Sequence, residues 1–178
     1  MLFRSFCFRP TLVIENKTLY GNYADSQPPA GFRLLHNAEQ FPTANLTPRC
    51  DADITIVALG GMSRDAEEAC MALFEDEEIA ADLFMPTQLY PFDVACLEQS
   101  LSKTGRLLLV EEGQGFVSLS SEILAQVIER FGNMNITARR LAAVPVPIPA
   151  ARPLEEQCLP GTQAIIDKAL EVMREHAH

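Results

Sequence analysis

The sequence predicts an α/β fold, a mostly parallel sheet sandwiched between layers of helices, and three observations predict it. From Asp51 onward short apolar runs alternate with segments of helical period. The run Ile54 to Leu59 is almost continuously apolar and bounded by glycine, as a central strand covered on both faces must be. Ala66, Ala69, Cys70, Leu73 and Phe74 then recur at i, i+3, i+4, i+7 and i+8, which places them on one buried helix face. Strands alternating with helices give a parallel sheet, because each crossover returns the chain to the same end.

The elements follow in order. "TLVIENKTLYG" opens with a β-branched run, Thr11 to Ile14, that predicts a strand before the chain turns polar. "NYADSQPPAGF" is loop-rich, with Pro28, Pro29 and Gly31 breaking regular structure, so residues up to about Pro48 read as a strand with a long connector. After the first strand and helix, Ile79 to Met85 predicts a second strand. Asp93, at the end of "YPFD", caps a helix carrying Val94, Leu97 and Leu101 on its inner side. "RLLLVEE", Arg106 to Glu112, is a third strand. Ser121 is the expected cap of the next helix, whose Ile123, Leu124, Val127, Ile128 and Phe131 form a broad apolar stripe ended by Gly132. "NITARRLA" alternates as an edge strand does. A proline-rich passage from Val144 to Pro160 leads into a last helix with Ile166, Ala169, Leu170 and Met173 inward.

Composition narrows the function classes. The 178 residues carry 14 basic and 24 acidic side chains, a formal net charge of −10, and the basic residues do not cluster, which argues against nucleic acid. "MLFRSFCFRP" is interrupted by Arg4 and Arg9 and reads poorly as a signal peptide, and no apolar run approaches a membrane span. Five scattered cysteines, without CxxC spacing, fit a reducing cytoplasm, and Cys70 and Cys96, on apolar helix faces, read as small core residues.

Three places invite a functional reading. In "IVALGGMSRDAEEA" a strand passes through two glycines into a helix, where free amides and the helix dipole favour an anion. "GGMSRD" is neither GxGxxG nor GxxxxGK[ST], and Asp65, Glu67 and Glu68 already bring negative charge. The turn therefore reads first as packing, with Ser63 as helix cap, and second as an anion site of Gly60, Gly61, Ser63 and Arg64. Glu111 and Glu112 lie at a strand's carboxyl end, as a solvated or partner-facing pair or as acid–base groups. The histidines, His36 in a loop and His176 and His178 in a fraying tail, place no base near a strand end. "VPVPIPAARP" alternates apolar residues with prolines, so it reads as a strap over the domain or a neighbouring subunit, with Val146 and Ile148 facing the partner.

"PTLVIENKTLYG", "DADITIVALGGMSRDAEEA", "ADLFMPTQLYPFD", "TGRLLLVEEGQG", "SSEILAQVIERF" and "VPVPIPAARPLEEQCLPGTQAIIDKAL" occur in one order over nearly the whole chain. Together they resemble the C-terminal domain of the beta subunit of thiamine diphosphate-dependent 2-oxoacid dehydrogenases, within the wider transketolase family. The resemblance implies a three-layer α/β/α sandwich whose five-stranded mixed sheet has one antiparallel strand, here Ala44 to Pro48. It implies a division into residues 1–48, the tail of a pyrimidine-binding domain with its linker, and 49–178, the C-terminal domain. A piece of a longer polypeptide and a natural split subunit both fit that division.

In the family the glutamate that activates the cofactor's aminopyrimidine lies in the pyrimidine domain, and another domain holds the diphosphate and magnesium. The resemblance therefore implies no catalytic, cofactor-binding or metal-binding residue in this chain, with thiamine diphosphate and magnesium bound by the complete enzyme. It implies subunit association, shaping of the active-site entrance and docking of the acyltransferase core component, and the apolar residues of the strap, Val146 and Ile148, predict a homodimer. Where the family often has Asp-Leu-Arg, this chain has Asp82-Leu83-Phe84, so no role of that arginine carries over. The alternative function is a regulatory module that senses a small molecule or anion.

Overall fold

A computed structural model describes residues 12–15 and 27–175 and builds them on one six-stranded sheet. Its strands are β1 (Phe32–His36), β2 (Ala44–Pro48), β3 (Ile54–Ala58), β4 (Ala81–Met85), β5 (Arg106–Gln114) and β6 (Thr137–Ala143), in the spatial order β1-β2-β4-β3-β5-β6. β3 to β6 are mutually parallel, while β2 runs antiparallel to both its neighbours and is the reversed strand that the resemblance implies.

The sheet has six strands rather than five. The extra one, "FRLLH", begins immediately after the breakers Pro28, Pro29 and Gly31 and pairs residue for residue with β2, Phe32 opposite Pro48 and His36 opposite Ala44. It is too short to announce itself against that loop-rich background. β1 and β2 thus lie before residue 49 and are hydrogen-bonded into the same sheet as the rest. The expected strand at Thr11 to Ile14 is not formed over Leu12, Val13 and Ile14, which are exposed; an apolar run becomes a strand only where another strand supplies the ladder. Thr11, Arg4, Arg9, Cys7, His176 and His178 lie outside the described residues.

Two cores flank the sheet because alternate strand residues point to opposite faces. On one face Ile54, Ile56, Leu83, Leu108 and Val110 pack under α1 (Ser63–Asp76) and α5 (Thr162–Glu175). On the other, Val57, Phe84, Leu107 and Leu109 pack under a 3-10 turn (Val94–Leu97), α2 (Glu98–Thr104) and α3 (Leu119–Phe131). A four-residue α4 (Arg152–Glu155) interrupts the strap. Among the described residues, no helix is long and apolar enough to cross a membrane.

Local chemistry explains most element ends and corrects a few. Asp93 accepts from the Ala95 amide at 2.9 Å, the expected cap, and Gly105, at φ 59°, takes the left-handed turn that ends α2 before β5. α3 is capped by Ser118 and not by Ser121: the Ser118 Oγ accepts from the Ser121 amide. In α5 the deepest residues are Ile165, Ala169 and Val172, with Ile166, Leu170 and Met173 half-buried beside them. On α3, Ile128 of the expected stripe is 60% exposed. Both helices carry more apolar surface than the sheet covers, so docking selects which line goes deepest. Thr55, a polar residue in the fully buried β3, is satisfied by the Ser100 and Thr104 hydroxyls at 2.7 and 2.9 Å.

Candidate functional site

The carboxyl end of β5 is where the fold concentrates unusual features. Glu111 and Glu112 do not form a carboxylate pair, because consecutive strand residues face opposite ways. Glu111 is only 6% exposed and its Oε1 accepts a hydrogen bond from the fully buried Ser120 hydroxyl in the first turn of α3, so it is not partner-facing; Glu112 is exposed. The buried carboxylate ties strand to helix and cannot meet a substrate in this arrangement.

Beyond it, the loop "GQGFVS" is held from below. Arg140, on β6, donates to the Gly115 carbonyl at 2.7 Å and to the Ser121 hydroxyl, and the Ser118 hydroxyl lies 3.0 and 3.1 Å from those of Ser120 and Ser121. On this platform Val117 adopts φ 51°, a strained conformation for a β-branched residue. Phe116 and Val117 are 87% and 85% exposed. Sequence reasoning passed over both; the signal was two bulky apolar residues set between Gly115 and a serine cap rather than on any periodic face.

The strap joins the same end of the sheet. The Gln114 side-chain amide donates to the Val146 carbonyl at 3.2 Å, and the Val144 amide to the Cys158 carbonyl at 3.0 Å. Val146 and Ile148 are exposed, as is Val144 between them and β6. The proline spacing leaves their side chains outward because this backbone makes no ladder that would draw them in.

The turn at the start of α1 is arranged differently from the expectation. Gly60 has φ 62°, the left-handed region that the tight turn requires. The Ser63 hydroxyl donates to the Gly60 carbonyl at 2.9 Å and caps no amide; Met62 occupies the cap position, without a side-chain bond. Arg64 is paired with Glu68 at 3.1 Å, and the Thr162 hydroxyl lies 3.3 Å from both Asp65 and Glu68. Gly61 is buried. The Ser63 hydroxyl and the Arg64 side chain thus each have a partner within the chain, and Asp65 and Glu68 stand beside them.

The cysteines divide by environment. Burial pushes the Cys70 thiol well up, with Glu67 and Asp82 adding to the effect, and burial with Glu39 and Asp93 pushes Cys96 up to about 12; Cys50 is exposed. The thiolate is the nucleophile, so neither raised thiol reacts at neutral pH. Brief iodoacetamide treatment of the native chain at pH 8, read by peptide mass mapping, is expected to alkylate Cys50 while sparing Cys70 and Cys96; early modification of Cys70 would contradict the packing. No group of histidine, cysteine and carboxylate side chains among the described residues is placed to hold a metal ion.

The family model described as "Transketolase, C-terminal domain" matches residues 44–165. The chain is 31% identical over 93% of its length to a mitochondrial pyruvate dehydrogenase E1 component subunit beta of Chaetomium thermophilum, of which it covers 43%. It is 32% identical over 70% of its length to an acetoin:2,6-dichlorophenolindophenol oxidoreductase subunit beta of Bacillus subtilis, of which it covers 36%. A solved split-gene transketolase, described as an inactive beta4 tetramer, superposes with a TM-score of 0.63 at 25% identity, over 73% of this chain and 42% of that one. The chain thus spans less than half the length of these relatives.

Proposed function

The chain belongs to the transketolase C-terminal domain family, and from that premise we propose that it is the non-catalytic assembly domain of a thiamine diphosphate-dependent 2-oxoacid dehydrogenase. The observation that carries this reading is the apolar surface at the carboxyl end of the sheet, where Phe116 and Val117 stand exposed beside a strap that exposes Val146 and Ile148. A preorganised loop loses little entropy on binding, and an exposed aromatic held rigidly is the kind of side chain that anchors interfaces. Relatives that are beta subunits of two different enzymes support a place for this chain within a multi-subunit enzyme. On it, thiamine diphosphate and magnesium are held by the rest of the enzyme, which carries out the oxidative decarboxylation. This domain joins subunits as a homodimer and offers a face to the acyltransferase core.

Sedimentation equilibrium tests the association. The native chain is expected to dimerise, and Phe116→Ser combined with Ile148→Ser to weaken the dimer by at least about thirtyfold. A chain that stays monomeric across a broad concentration range overturns the dimer. Incubated alone with thiamine diphosphate, magnesium and pyruvate, the chain is expected to release no carbon dioxide; robust turnover overturns the non-catalytic assignment.

A further inference from the structure

At the opposite end of the sheet from the apolar surface, a groove of about 450 Å³ opens where the helices run out. α2 is only seven residues long and sits over β3 and β5, so among the described residues no helix covers the same face of β1, β2 and β4 beside it. Arg33, Leu35, Asn45, Asp82 and Phe84 line the groove from the strands, and Lys103 lines it from α2. Arg49, in the turn between β2 and β3, closes the rim.

Its charge pattern is selective. Asp82 is 9% exposed and forms the floor; its Oδ1 accepts from the Asn45 amide at 2.7 Å, while Oδ2 receives no hydrogen bond among the described residues and is not sealed from solvent. Arg33, Arg49 and Lys103 make no ion pair and no side-chain hydrogen bond among the described residues. Three of the chain's 14 basic residues therefore meet at one groove of a protein whose net charge is −10, against two carboxylates, Asp82 in the floor and the exposed Asp51 beside Arg49 at the rim. A simple anion is opposed by the buried carboxylate, and a simple cation by a rim on which Arg33, Arg49 and Lys103 outnumber Asp51. A ligand carrying both charges satisfies both, and Leu35 with Phe84 supplies an apolar wall for its remainder.

We infer that this groove binds a small zwitterion of the amino-acid class, its ammonium on Asp82 and its carboxylate against Arg33, Arg49 and Lys103. The site is independent of the assembly surface and stands whether or not that surface dimerises the chain. L-leucine is the probe, with 4-methylpentanoate as the analogue lacking the amine and 3-methylbutylamine as the analogue lacking the carboxylate. Titrated into the full chain and followed by amide chemical shifts, L-leucine is expected to saturate and to move resonances around Asn45, Asp82 and Ser100. Each analogue is expected to bind at least about tenfold more weakly. Asp82→Asn should abolish the preference for L-leucine over 4-methylpentanoate. Arg33→Ser, at an exposed side chain, should abolish the preference over 3-methylbutylamine. Absence of saturable shifts with L-leucine at millimolar concentration, or equal binding of 4-methylpentanoate, overturns the inference, as does unchanged binding in Arg33→Ser together with Arg49→Ser.

Discussion

Leu108→Ala is expected to lower the free energy of unfolding by about 2–5 kcal/mol, the range found when a fully buried leucine is truncated and its cavity only partly closes. Leu108 lies in β5 between β3 and β6, is fully buried, and packs with Ile54, Ile56 and Val110 beneath α1 and α5. Single domains of this size have about 5–15 kcal/mol in all, so the variant sits near the limit of folding. Leu109→Ala, one residue on, empties the opposite core between the sheet and α3 and is expected to cost a similar amount. Urea unfolding followed by far-ultraviolet circular dichroism measures both through the shift in midpoint. A loss below about 1 kcal/mol in either would mean that β5 is not covered on both faces.

Glu111→Ala is expected to destabilise the chain by about 1–3 kcal/mol, because it removes the charged acceptor of the buried Ser120 hydroxyl, leaving only the Ser118 hydroxyl beside it, and severs β5 from the first turn of α3. Glu111→Gln keeps an oxygen in the same place and is expected to cost less than half as much. The comparison separates a structural carboxylate from a chemical one: an acid–base role requires the ionisable group itself, whereas tying a strand to a helix requires only an acceptor. Equal losses in the two variants, measured by urea unfolding, would show that the charge rather than the hydrogen bond matters. The platform under Phe116 should loosen with Glu111→Ala, since Ser120 also touches Ser118, whose hydroxyl caps α3.

The strands and helices were legible where burial on both faces leaves no choice of residue. Ile54 to Ala58 and Arg106 to Val110 are apolar at nearly every position because each lies inside the sheet with a helix layer on either side, and the helix faces at Ala66, Ala69, Cys70 and Leu73 repeat for the same reason. β1 was not legible. One face of "FRLLH" meets the core through Phe32, but Arg33 and Leu35 face the open groove, so neither strict alternation nor continuous hydrophobicity marks it. The cap of α3 was misplaced among three serines, Ser118, Ser120 and Ser121, since all three have the chemistry and only the path of the chain out of β5 chooses among them.

The candidate sites divided in the same way. Two adjacent glutamates in "VEEG" look alike in sequence, and the pleat of the strand alone sends Glu111 into the protein and Glu112 outward. At the Gly60 turn, Thr162 comes from nearly a hundred residues away to approach Asp65 and Glu68. No local pattern carries that information. The groove is a sharper case, since Arg33, Arg49, Asp82 and Lys103 belong to four separate segments whose meeting depends on the order of the strands.

By itself the sequence determined the α/β class, the two-sided burial of β3, the reversed strand at Ala44 to Pro48 through its family likeness, and the exposed strap. These follow from local periodicity, from proline's missing amide, and from motifs read in order along the chain. Only the tertiary structure decided which glutamate is buried, how far the helices reach across the sheet, and that Phe116 and Val117 are raised on a hydrogen-bonded platform. Each depends on contacts between segments distant in sequence, where the energy of a side chain is set by what another part of the chain places beside it.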